Sequence, residues 1–150
     1  MLYAGGVIAD EHKVVFEVGA AAEKTANEKT AFGGTLAAEM TPIENWLELE
    51  FGITAVGKRG EHELSADLLF KKPFQLSRTA EFMFGAGPEM VRRSTASGRH
   101  TALGAEVVAD FMFWPSARVG WYVEPGYERT FGKNGESGFG VTGGILIAWP

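Results

Sequence analysis

The sequence predicts an all-β protein: an eight-stranded antiparallel up-and-down β-barrel that crosses a membrane. Three observations predict it. Apolar residues alternate with polar or small ones, at period two, in eight separate stretches of the 150-residue chain. The connections between these stretches are short and carry Gly, Pro, Asn, Ser and charges, so only antiparallel neighbours can be joined. Most stretches run about 9–12 residues, the length that crosses a bilayer with tilt.

Taken in order, strand 1 is expected over 13–23, with Val14, Phe16, Val18, Ala20 and Ala22 on one face and Val15, Glu17, Gly19, Ala21 and Glu23 on the other. Strand 2 (about 30–40) sets Phe32, Leu36 and Met40 against Thr35 and Glu39. Strand 3 (46–56) is the clearest. Leu47, Leu49, Phe51 and Ile53 oppose Trp46, Glu48, Glu50 and Thr54. Strand 4 (62–71) sets Leu64, Leu68 and Phe70 against Ser65, Asp67 and Lys71. Strand 5 (80–91) sets Phe82, Phe84 and Met90 against Glu81, Gly85 and Glu89. Strands 6 (100–113), 7 (119–130) and 8 (139–149) continue the pattern. Their polar or small faces carry Glu106 and Asp110, then Glu124 and Glu128, then Gly140, Thr142 and Gly144. Closure of the meander removes exposed strand edges. "KNGE", at 133–136, reads as a two-residue hairpin. Pro88 and Pro125 fall inside strands, where a bulge or a rim position is expected.

Such a barrel can be built with its apolar face inward, as in a soluble lipocalin-like barrel binding an apolar ligand, or outward, facing lipid. The polar faces here favour the second. They are rich in Gly, Ala, Thr and Ser, the residues a narrow lumen needs, and they hold few lysines. Alternating strand directions also bring Trp46, Phe70, Phe74, Phe113, Trp114 and Trp149 to one end, with Trp121 near the same level, like an interfacial girdle. The lumen then receives Glu17, Glu39, Glu48, Glu50, Asp67, Glu81, Glu89, Glu106, Asp110, Glu124 and Glu128, with Lys13, Lys71 and His100 as candidate bases. These carboxylates suit a hydrogen-bonded network or a cation site by spacing, and structural packing is the expected use. A closed eight-stranded lumen has no room for the sugar that a carboxylate pair could hydrolyse.

Charge and composition exclude several classes. A net charge of −5 opposes general nucleic-acid binding. The chain has no cysteine, hence no disulfide framework. Residues 1–12 are expected to be a poorly ordered segment before a barrel domain at 13–150, and they lack the basic start of a signal peptide. "GFGVTG", at 138–143, fits a dinucleotide-binding glycine pattern, but the seven residues after it here alternate like a strand and not like the helix that pattern needs. His12, His62 and His100 have no metal-site spacing. His62 and Ser65 point to opposite faces, which disfavours a catalytic pair at the rim. No enzyme activity, cofactor or metal is expected. With the N-terminus on the periplasmic side, Lys58, Arg59, Arg92, Arg93, Arg99 and Lys133 gather on the outward loops. Such a rim suits two readings, contact with lipopolysaccharide phosphates or ordinary solvated loop charges, and the second explains it at least as well.

Several segments carry a resemblance: "TPIENWLELE", "DLLFKKPF", "EFMFGAGPE", "DFMFWPS", "GWYVEPGYERTFG" and "GVTGGILIAWP". Over about residues 14–150 the chain resembles a family of uncharacterised proteobacterial outer-membrane β-barrel proteins. The resemblance implies a small monomeric barrel in outer-membrane lipid, structural or weakly interactive, with no catalytic residues to carry over.

Overall fold

The computed structural model describes residues 14–26, 28–133 and 135–150. The expectations for segment 1–12, for His12 and for Lys13 lie outside the described residues. Eight strands form one closed barrel in chain order. They are β1 (Val14–Thr25), β2 (Ala31–Ile43), β3 (Leu47–Lys58), β4 (Glu61–Gln75), β5 (Ala80–Thr95), β6 (Gly98–Phe113), β7 (Val119–Thr130) and β8 (Ser137–Trp149). Every ladder is antiparallel, and β1 closes the ring on β8 with Val14 opposite Trp149.

The lower end of the barrel is the one where β1 begins and β8 ends. The period-two pattern assigns the faces in the structure as it does in the sequence. Along β3, Glu48, Glu50, Gly52, Thr54 and Val56 are buried, while Phe51, Ile53 and Ala55 are exposed. The same holds around the ring: Phe16, Leu36, Leu68, Phe84, Val107, Val123 and Ile145 all point outward. A soluble barrel would hide these residues. Here they cover the outside, and the inside is charged. An apolar wall of this kind around a polar lumen is the build of a barrel that spans a membrane.

Several strands are longer than the alternation suggests. β4 runs on to Gln75 and β5 to Thr95, so "KPFQLSRT" shrinks to a turn at 76–79 and "RSTASG" to one at 96–97. The expected two-residue hairpin at "KNGE" is instead a connection over 131–136, in which Gly132 adopts φ +113°. Thr130 closes it by donating its N–H to the Glu136 carbonyl at 2.9 Å. Asn134 lies outside the described residues. The turn at Arg59–Gly60 is tighter, and Gly60 supplies its left-handed φ of +71°.

Pro88 and Pro125 correct a second expectation. Neither makes a bulge and neither sits at a rim. The β4–β5 ladder skips from Asp67↔Glu89 to Phe70↔Ala86, and the β6–β7 ladder from Val108↔Gly126 to Phe111↔Val123, with the register unchanged across each gap. Each proline points outward and faces the gap, so the missing N–H costs local rungs and not the alignment. The register shift occurs between Met40 and Ile43, around Pro42.

Candidate functional site

The lumen is built in layers, because inward residues at one height come from every strand. Its floor is apolar. Val15, Met83, Met112, Trp114, Tyr122, Leu146 and Ala148 pack together there, and all are buried. Trp114 was expected in the lipid-facing girdle. It is 1 % exposed and belongs to this floor. The physical reason is parity: on β6 the even positions face inward, and Trp114 continues the row of Val108, Asp110 and Met112. The other expected girdle residues lie outside at the lower end. Trp46, Phe70, Trp121 and Trp149 are exposed, and half-exposed Phe113 stacks on Trp121 with centroids 4.1 Å apart. Lys72 lies 5.9 Å from the ring centres of both Trp46 and Phe74 and donates to the Asn45 carbonyl at 2.8 Å. A second ring at the upper end was not anticipated: Phe32, Tyr127, Phe131 and Phe139, with Tyr127 and Phe139 in contact at 5.0 Å.

Above the floor sits Lys71, with no exposed surface. Its ammonium donates to Asp110 Oδ2 at 3.0 Å, to Glu124 Oε2 at 2.5 Å and to Glu50 Oε2, and it lies 3.7 Å from Glu39 Oε2. The partners come from β2, β3, β6 and β7, so one side chain spans the lumen. Glu17 flanks this group. Glu48 accepts from Thr41 Oγ1 at 2.6 Å. Backbone space for the long side chains comes from glycines directly opposite them. Gly85 faces Lys71, and a Cβ there would lie 2.6 Å from Lys71 Cγ. Gly52 faces Asp67 in the same way, with 2.8 Å to its carboxylate.

Higher still, Thr54 Oγ1 donates to Thr35 Oγ1 at 3.0 Å, and Ser65, Asp67 and Glu106 line the wall. The cavity among these groups is about 30 Å³, room for roughly two waters. At the mouth, Arg93 was expected on an outward loop. It turns inward instead, donating to Glu63 Oε2 at 2.8 and 3.0 Å and to Glu136 Oε2 at 2.5 Å. The cause is again parity, since β5 extends to Thr95 and keeps its odd positions inside. His100 was a candidate lumen base but is exposed at the upper rim. All nine principal carboxylates named from sequence, Glu17, Glu48, Glu50, Asp67, Glu81, Glu106, Asp110, Glu124 and Glu128, lie on inward positions of their strands. Glu23 and Glu63 join them at the mouth.

Outside, at the height of the upper aromatic ring, His62, Leu64, Arg92, Ser94, Arg99 and Phe32 line an open groove. His62 and Ser65 stand on opposite faces of β4, the first exposed and the second buried. At the upper rim, Lys58 bonds Glu28 and lies 3.4 Å from Glu61. Glu28 is in the connection between β1 and β2, and the Lys58 hydrogen bond holds its carboxyl below the usual range.

No family model and no curated protein matches the sequence. Solved structures do match the fold. The crystal structure of Neisserial surface protein A (NspA) superposes with a TM-score of 0.73 at 16% identity, covering 91% of this chain and 96% of that one. The outer membrane protein OprG from Pseudomonas aeruginosa gives 0.68 at 9% identity, covering 96% and 99%. Ail, the attachment invasion locus protein of Yersinia pestis, in complex with the heparin analogue sucrose octasulfate, gives 0.52 at 12% identity, covering 91% and 96%. At these identities the likeness is one of fold.

Proposed function

We propose that this chain is a small, non-enzymatic barrel of the bacterial outer membrane, closed to solutes, whose upper rim engages phosphate-bearing lipid headgroups. One observation carries the reading: an exposed apolar wall lies between two aromatic rings, while the charges are held inside. In water that wall would be an aggregation surface; in a bilayer it is solvated by acyl chains. The apolar floor and the fully buried Lys71 cluster fill the lower lumen, which supports a role other than conduction.

The groove at the rim supports the headgroup reading. Arg92, Arg99 and His62 offer donors to phosphate beside Phe32 and Leu64, which suit an acyl chain. Outward-facing lipopolysaccharide has both parts. Ail, which shares this fold, is solved in complex with the heparin analogue sucrose octasulfate, and that supports an anionic ligand at the rim. The interior is acidic and filled, which disfavours a soluble barrel with an apolar ligand inside.

Refolding with and without detergent micelles tests the reading. The expected result is a β-rich species that forms only with micelles and migrates differently on a gel before and after boiling. A chain that folds cleanly in buffer, with no mobility shift, overturns it. For the rim, Arg92→Ala with Arg99→Ala should weaken binding to lipopolysaccharide-containing vesicles and leave binding to zwitterionic vesicles unchanged.

A further inference from the structure

One group of lumen carboxylates carries more negative charge than the cation beside it, Arg93, can match. Glu23 on β1, Glu63 on β4 and Glu128 on β7 meet at the upper mouth, although no two of these strands are neighbours. One carboxylate oxygen from each lies within 4.8 Å of the others. Below them Glu89 is 4 % exposed, and its Oε2 has no hydrogen-bond partner. Its carboxyl faces that of Glu128, and both line the same small cavity. Two carboxylates facing each other have no donor between them, so a proton or a cation must lie there. Arg93 supplies only part of the missing charge: its guanidinium pairs with Glu63 within the group and is shared with Glu136, while among the described residues no salt bridge reaches Glu23 or Glu128.

We propose that Glu23, Glu63 and Glu128, with Glu89 beneath them, form a site for one calcium-class divalent cation at the mouth of the lumen. A calcium ion binds oxygen at about 2.3–2.6 Å. Three oxygens within 4.8 Å of one another therefore need at most a small inward shift to touch one such ion together. The donors are oxygen only, which selects a hard cation over zinc or copper. The irregular set, drawn from four strands, suits calcium better than magnesium, which demands a near-octahedral shell. Space for the site comes from the glycine pattern at 138–143. Gly138 pairs with Glu128 and Gly140 with Glu23. A Cβ at either glycine would stand 3.4 Å from the facing glutamate side chain. Glu23, Glu63 and Glu128 are half-buried, so an ion reaches them from the open end.

The site presupposes the micelle-folded barrel proposed above, and the experiment separates the two. The full chain is refolded in zwitterionic micelles free of lipopolysaccharide, stripped with EDTA and checked for its gel shift. Calcium chloride is then titrated calorimetrically, and the unfolding midpoint is recorded with and without the ion. The expected result is saturable uptake of one ion per barrel and a raised midpoint. Glu23→Gln and Glu128→Gln should each weaken uptake at least tenfold while raising the midpoint measured in EDTA, because each removes a repelling charge. Glu17→Gln, deep in the lumen, should leave uptake unchanged. A barrel that shows its gel shift but takes up no calcium overturns the site and leaves the fold reading standing. Uptake that survives both mouth variants, or that is lost with Glu17→Gln, also overturns it. A chain with no gel shift overturns both readings.

Discussion

Replacing Lys71 with methionine keeps most of the aliphatic stem and removes the charge that holds the middle of the lumen. Lys71 is fully buried and touches Glu50, Asp110 and Glu124. At an effective dielectric of about 20, one unit pair at the Asp110 distance of 3.0 Å attracts by roughly 5.5 kcal/mol before desolvation. Desolvation of both partners cancels much of that in the wild type. In the variant the carboxylates stay buried and lose their cation, and breaking a buried pair in this way costs about 3–5 kcal/mol. Urea unfolding of the barrel in micelles, followed by tryptophan fluorescence at about pH 8, would read the loss. The gap between variant and wild type should narrow as the pH is lowered and the carboxyls are neutralised. Adding Asp110→Asn to Lys71→Met should recover part of the stability, because it removes one orphaned charge. A variant within about 1 kcal/mol of wild type at pH 8, against the cost expected of a broken buried pair, would refute the cluster as a structural tie.

Three further outcomes follow from other parts of the wall. Ile53→Arg places a charge on the exposed outer face of β3 and should cost about 2–4 kcal/mol in a bilayer, while Phe139→Arg at the upper ring should cost about 1 kcal/mol or less; equal costs would mean the wall is not in lipid. Gly85→Ala should destabilise by about 1–3 kcal/mol in the same urea assay, because its Cβ would meet the Lys71 stem at 2.6 Å. Glu28 is held below the usual carboxylate range by its Lys58 hydrogen bond. Its contribution is therefore present above the unfolded carboxyl's range and lost as pH falls through the lower folded value. The pair is only half-buried and sits at the solvated rim, so Glu28→Gln should cost only about 0.5 kcal/mol at neutral pH and nothing in acid.

Face assignment was legible in the sequence because the strand's period of two is fixed by backbone geometry and leaves a direct trace. Leu47 to Val56 in β3 can be sorted into wall and lumen without any structure. Trp114 and Arg93 were misplaced by treating the ends of β6 and β5 as loops, although both simply continue the parity of their strands. The signal was present and the strand boundary hid it. Other features left no local trace. That Lys71 meets Asp110 and Glu124 depends on the stagger around the closed ring, which no single strand encodes. The meeting of Glu23, Glu63 and Glu128 at the mouth is hidden for the same reason. Pro88 and Pro125 misled because a proline in a closed sheet can be met by a gap in the ladder as well as by a bulge.

Backbone ladders bind each strand only to the next, so a sheet held by them alone could come apart one strand at a time. Lys71 works differently. From β4 it reaches acids on β2, β3, β6 and β7, three of which are not its neighbours. Those contacts exist only when the ring is shut, and opening any one seam strands buried charges around the whole circumference. The lysine makes partial barrels costly, and so turns assembly from a sequence of steps into a single event.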